Sequence, residues 1–202
     1  MKRYIDKLDE SKDRLIQVAF DCTDKTNEKI DYNLFLWSIL NRAMSINRGF
    51  LCLTKEDNYL CAIPLMRMQV DNCIRLYGIH CVADPHAFIM SWMNGNKIST
   101  LKDKNNHKLT DRLLVENLEE KYHNIVGIYD SACNFVHLSQ ENLYNTAQAI
   151  DGTREITCNI TGYDRIPDNV KDNIDKCMVY VNNILIDIIY DYAREINVIE
   201  KH

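Results

Sequence analysis

Apolar residues recur at three- and four-residue steps along most of the chain, the spacing that lines one face of an α-helix. The last such stretch is the most regular. Ile174, Cys177, Met178, Val181, Ile184, Leu185, Ile188, Ile189 and Tyr192 recur with Asp and Asn between them, and Pro167-Asp168 fits the helix start. A first helix is predicted from about Tyr4 to Asp21, with Leu8, Leu15, Val18 and Ala19 inward. A second is predicted after Asp31, read as its N-cap, with Leu34, Trp37, Leu40, Met44 and Leu51 on its apolar face. A third begins near Asn58 and carries Ile63, Met66, Val70, Ile74 and Tyr77. Its stop is predicted at Gly78 or at Ala83-Asp84-Pro85, and Pro64 would kink it if it falls beyond the first turn.

A short helix should run from Pro85 to Met93 and end at Asn94-Gly95. The polar, lysine-rich stretch from Asn96 to Leu109 reads as a mobile loop. Thr110 then opens what reads as one long helix, with Leu114, Leu118, Tyr122, Ile125, Tyr129, Cys133 and Val136 as its stripe. Between Asp151 and Ile166 the period shifts weakly towards two, and Ile156, Cys158 and Ile160 suggest a strand or one arm of a hairpin. The pattern as a whole predicts an all-α bundle of about four long core helices, with short extra helices and room for one short β-hairpin. No repeat and no composition break divides the chain, so residues 1-202 are read as a single helical domain.

Composition narrows this picture. Six glycines and three prolines are too few for a turn-rich β-sandwich. A net charge of −5 argues against broad, non-specific attraction to phosphate. The eight cysteines include no C-x-x-C pair, which excludes the zinc-ribbon and thioredoxin readings; they are expected to be small buried hydrophobes in a reducing compartment. The start MKRYIDKLDESKDR is too charged for a signal peptide, and no apolar run approaches the ~20 residues that span a bilayer, so a cytoplasmic protein is predicted.

Two segments carry candidate chemistry. Arg67, Asp71 and Arg75 stand at i, i+4 and i+8 on the third helix, a ladder in which Asp71 would hold both guanidinium groups in place. An ordered arginine fork matches phosphate oxygens, although the same ladder can be an ordinary solvated ion pair series. The segment SACNFVHLSQENL (Ser131 to Leu143) places Asn134, His137 and Ser139 where the apolar stripe ends. Ser139 could cap a following short helix, and Asn134 and His137 could satisfy backbone groups at a helix break or line a polar site. Lys97, Lys102, Lys104, Lys108 and Arg112 form a basic stretch that Asp103 and Asp111 dilute. Glu120 and His123 make one E-x-x-H step, but a di-metal bundle needs a second, which is absent. No nucleotide-binding glycine loop or nucleophile elbow is present, and neither metal nor cofactor is predicted.

The stretch PLMRMQVDNCIRLYGIHCVADP (Pro64 to Pro85) resembles a helix of a widespread all-helical bacterial family, in which an Arg is followed four residues later by an acidic residue and an apolar run closes on Asp-Pro. YDSACNFVHLS (Tyr129 to Ser139) is similar to that family's Tyr…Ser…Val-His-x-Ser segment, and the two together extend the likeness over about residues 30 to 195. The family is in turn similar to the HEPN superfamily of helical bundles. The resemblance implies a metal-independent RNase of toxin–antitoxin or phage-defence type, built on an Arg and a His with four to six residues between them, at a dimer interface. Arg75-Leu-Tyr-Gly-Ile-His80 has that spacing, but Leu76 replaces the usual polar residue. His137 has the better local sequence, yet Asp130, Ser131 and Ala132 occupy the places of its partner arginine, so Arg67 or Arg75 would have to reach it from another helix or subunit.

The implied site is therefore catalytic His137, Arg67 and Arg75, with Asp71, Asn134, Ser139 and His80 binding. The implied partners are RNA, an antitoxin or other protein, and a second copy in a homo-oligomer. The competing expectation, favoured by the acidic charge and the imperfect motif, is a non-catalytic helical module for protein interaction or ligand sensing.

Overall fold

The computed structural model describes residues 4–200 apart from Asn27 and Leu138. Its order is α1 (Ile5–Asp21), α2 (Ile30–Lys55), α3 (Tyr59–Cys81), α4 (Pro85–Met93), a 3-10 turn (Ile98–Thr100), α5 (Asp111–Glu119), α6 (Ile125–Val136), α7 (Gln140–Thr146), β1 (Ala147–Ala149), β2 (Ile156–Cys158) and α8 (Asp168–Glu195). α3 is the hub of a mostly helical, bundle-like structure. It packs on α2 and α8, with α4, α5 and α6 against its other sides, and α1 closes the far side on α2 and α8. No helix among the described residues is long and apolar enough to cross a membrane. The hairpin exists: β1 and β2 pair antiparallel, Ala147 opposite Cys158. Its first strand lies before the predicted range, because α7 runs directly into it.

Local chemistry sets most boundaries. The Asn58 side chain accepts from Cys61 N at 3.2 Å, Asp84 accepts from Ala87 N at 2.9 Å and Thr110 accepts from Leu113 N at 3.3 Å, so three helices start on side-chain caps. α2 starts differently from the expectation. It begins at Ile30, with Asp31 already inside the first turn. Asp24 organises the approach instead, accepting from Lys29 N at 2.9 Å and Thr26 Oγ1 at 2.8 Å. On α2, Leu40 and Leu51 are buried as predicted, but the rest of the buried face differs. Phe35, Leu36, Ile39 and Ala43 are inside, while Leu34 and Trp37 are exposed, because a helix apolar on several sides fits more than one i, i+3, i+4 series.

α3 passes through Gly78 rather than stopping there. A Cβ at Gly78 would meet Phe88 Cε2 at 3.2 Å, so the glycine serves close packing of α4. Pro64 is the sixth residue of α3, beyond the first turn, and the helix is unbroken through it. The segment 96–109 is tied down rather than mobile. Ile98 and Leu109 are buried, Asp103 accepts from Asn105 N and His107 N at 2.9 and 2.8 Å, and Lys104 N donates to Cys81 O at 3.0 Å.

The long helix expected from Thr110 is two helices. Asn124 takes a left-handed conformation (φ 73°), and the Glu119 carboxylate accepts from Asn124 N at 2.6 Å and Val126 N at 2.8 Å. Glu119 thus ends α5 and caps α6. The apolar stripe hides the break, since Leu118, Tyr122 and Ile125 stay buried through it. All eight cysteines are free. Only Cys22 and Cys73 are buried, and burial pushes the Cys22 thiol up to about 12. Cys52, Cys61 and Cys158 are exposed, against the expectation of uniformly buried thiols.

The core contains a line of side-chain amides. Arg42 Nη1 donates to Asn72 Oδ1, Asn72 Nδ2 to Gln69 Oε1 (3.0 Å) and Gln69 Nε2 to Asn182 Oδ1 (2.6 Å). Asn182 Nδ2 then donates to Asn47 Oδ1 (2.9 Å), and Asn47 Nδ2 to Leu8 O (3.1 Å). All four amides are buried, and the line touches α2, α3, α8, α2 again and α1.

Replacing Asn182 with Ala orphans the Gln69 donor and the Asn47 acceptor. The expected loss is about 2–6 kcal/mol, from ~1–3 kcal/mol for each of the two buried unsatisfied groups, read by urea denaturation. A second prediction concerns acid. The Val126 and Asn124 N–H groups hold the Glu119 carboxyl below the usual carboxylate range. The folded value is depressed, so this stabilisation is present above the unfolded glutamate value of about 4.3 and is lost as pH falls through the folded one. Glu119→Gln should therefore be less stable than wild type at neutral pH, and the difference should close on acidification, as measured by urea midpoints across pH.

Candidate functional site

The ladder predicted on α3 is one part of a larger network. Asp71 Oδ1 accepts from Arg75 Nε at 3.1 Å, but its second arginine is Arg42 of α2, with Nη1 3.2 Å from Oδ2. Arg67 turns instead to Asp111, the first residue of α5, with Nη2 3.2 Å from Oδ2. Asp111 Oδ1 also receives Arg75 Nη2, at 2.5 Å. Charges therefore alternate as Arg42, Asp71, Arg75, Asp111, Arg67 across three helices, and the cluster carries one net positive charge. Half-buried alternating charges of this kind are positioned rather than free, since each carboxylate fixes two guanidinium groups.

Arg67 is the most enclosed arginine of the network. Its guanidinium carbon lies 4.1 Å from the centroid of the Tyr129 ring, and Nε lies 3.2 Å from Cys133 Sγ, both on α6. Burial alone would lower its pKa, but the Cys133 and Tyr129 side chains outweigh burial and raise it. The two sequence segments do meet here. Arg67 reaches α6 at Cys133, one turn before His137. His137 itself is the exposed residue that ends α6; its N–H donates to Cys133 O at 3.3 Å, and its carbonyl accepts from Asn142 Nδ2 at 3.2 Å.

Ser139 precedes α7 but makes no side-chain cap. Its Oγ donates to Asn134 O at 2.6 Å, because α6 leaves that carbonyl open at its end. Asn134 and Ser139 thus secure the α6–α7 turn. His80 and Arg75, which share the spacing noted in the sequence, serve different neighbours. His80 Nδ1 lies 3.0 Å from Glu195 Oε1 of α8, and its ring packs on Tyr77 and Tyr192. The two lie five residues apart on one helix and so face different sides of it, and they line separate concavities. No group of three His, Cys, Asp or Glu residues among the described residues could hold a metal ion.

The network borders a cavity of about 390 Å³. Arg42, Arg75 and Lys97 line it with a single carboxylate, Asp71. Phe35 and Trp92, packed edge to face at 5.0 Å, form an aromatic wall. Asn72 and Asn96 add polar groups. Arg75 Nη1 is buried and has no hydrogen-bond partner among the described residues. The lining thus carries a net charge of about +2 on a chain of net −5. Sequence reasoning missed Arg42 and Asn72 and read Lys97 as part of a mobile loop. Nothing local marks Arg42, which lies 29 residues before Asp71. The fixed 96–109 segment brings Lys97 to the site.

Compared with known protein families, curated proteins and solved structures, the chain matches none.

Proposed function

We propose that this chain is a non-catalytic, ligand-sensing helical module whose ligand is a small phosphate-bearing anion held by Arg42, Arg75 and Lys97. One observation carries the reading: three cations converge on a 390 Å³ cavity with an aromatic wall, while the rest of the chain is acidic. The volume is in the range of small-molecule sites, roughly 300–1,000 Å³. Asp71 and Asp111 hold the Arg75 fork from two sides, so little side-chain order remains to be acquired on binding. Lys97 is exposed and makes no ion pair among the described residues, which leaves its charge available to the ligand.

The expected outcome is saturable binding of inorganic phosphate or phenyl phosphate, followed by Trp92 fluorescence in a Trp37→Phe background. Lys97→Glu should weaken it about 10- to 100-fold, the range for losing one charge-assisted contact. Its circular dichroism should stay unchanged, because Lys97 is exposed. No saturation by either anion in the wild-type chain would sink the reading.

A second reading, an HEPN-like metal-independent RNase acting in toxin–antitoxin or phage defence as a homo-oligomer, is favoured by the approach of Arg67 to α6 one turn from His137. In it, His137 would move the ribose 2′-hydroxyl proton and an arginine would stabilise the charged phosphate. It ranks second because His137 is exposed and Arg67 meets Cys133 and Tyr129 of α6 rather than the imidazole, while His80 pairs with Glu195. The check is RNA cleavage in the presence of a chelator. This reading expects activity that His137→Ala lowers at least about 100-fold, as for loss of a general acid or base.

A further inference from the structure

A larger cavity, about 630 Å³, shares no lining residue with the cationic one. Its floor is apolar: Ile63 and Met66 of α3, Ile128 and Ala132 of α6, Ile174 and Cys177 of α8. Its roof is the excursion between α6 and α8, which contributes Glu141, Tyr144, Asn145 and Gln148 from α7 and β1.

The roof is weakly attached. α7 has no buried residue, and all three residues of β2 are exposed. A two-stranded hairpin of this kind is marginal by itself. Arg165 N donates to Asn145 Oδ1 at 2.8 Å, which ties the returning chain to α7. Segments with so little buried contact open at low free-energy cost, which gives a ligand a way in.

Arg165 is the one cation in the lining, and its guanidinium has no hydrogen bond or ion pair among the described residues. Glu141 is the one carboxylate there, so the lining is electrically neutral. We propose that this cavity is a binding site for a single-chain amphiphile with one negative charge, a medium- or long-chain carboxylate. Its tail lies along the α3–α6–α8 floor and its carboxylate meets the Arg165 fork. The apolar floor selects the tail by burial from water. The planar guanidinium selects a carboxylate through paired hydrogen bonds. A dianionic phosphate headgroup would add a second negative charge to a lining that already holds Glu141 and has only one cation. The site is independent of the phosphate reading above.

The test uses the full chain with dodecanoate below its micelle concentration, dodecanol and dodecyl phosphate. Binding is followed by calorimetry and by hydrogen exchange of residues 140–166. Dodecanoate is expected to bind once per chain and to slow exchange in that segment. Dodecanol should bind about tenfold more weakly, the change expected for loss of one charge-assisted contact, and Arg165→Glu should abolish the difference. Ala132→Phe, which fills the floor, should remove binding of both. Should that variant fail to fold, Arg165→Glu, on a half-exposed loop, still decides the matter. Lys97→Glu should leave dodecanoate binding unchanged, so failure at one cavity is distinguishable from failure at the other. Equal affinity for acid and alcohol, tighter binding of dodecyl phosphate, or protection of 140–166 by concentration-dependent self-association without ligand would each overturn the proposal.

Discussion

The hydrogen-bonded line from Arg42 to the Leu8 carbonyl is the constraint on which the bundle depends. Apolar side chains can slide past one another at modest cost, because dispersion and burial are non-directional. Four buried amides cannot, since a helix shift breaks the bonds that run between helices and leaves buried groups unpaired. The line fixes the register of α3 on α8 through Gln69 and Asn182, and of α8 on α2 through Asn182 and Asn47. It also removes ambiguity from the amides. Arg42 is donor only, so Asn72 must present its oxygen, and every later amide must then point the same way.

The outer end of that line is the inner end of the arginine–aspartate network. Arg42 serves both Asn72 in the core and Asp71 at the cavity. The cationic cavity is therefore built on the most strongly specified part of the molecule, while the apolar cavity is roofed by the least specified. Rigid walls suit recognition of a small anion, whose binding gains most from donors fixed in advance. A loose roof suits a flexible chain that has to be threaded in.

Much of the helical architecture was legible in the sequence because it is written locally. The period of α8, the start of α3 beside Asn58, the span of α4 from Pro85 and the Asn94-Gly95 stop depend on neighbours a few residues away. The α5–α6 break was not legible, because Tyr122 keeps the apolar stripe continuous across a turn that Asn124 and Glu119 create. The α3 ladder was half legible. Asp71 and Arg75 pair at i, i+4 as expected, but the other two partners, Arg42 and Asp111, come from different helices. The amide line was invisible for the same reason: an Asn on an apolar helix face has no local signature that names its partner.

Asp164 has a consequence for the order in which the molecule is assembled. Its Oδ2 accepts from the N–H groups of Tyr59 and Leu60 (2.9 Å to the latter), more than 100 residues earlier in the chain, and so completes the start of α3. α8, which packs along α1 and α3, comes later still. During synthesis α1, α2 and α3 emerge with the hub's leading end incomplete and one of its two principal neighbours, α8, missing. Helices form early, but the bundle locks only once Asp164 and α8 have emerged, through contacts of high sequence separation.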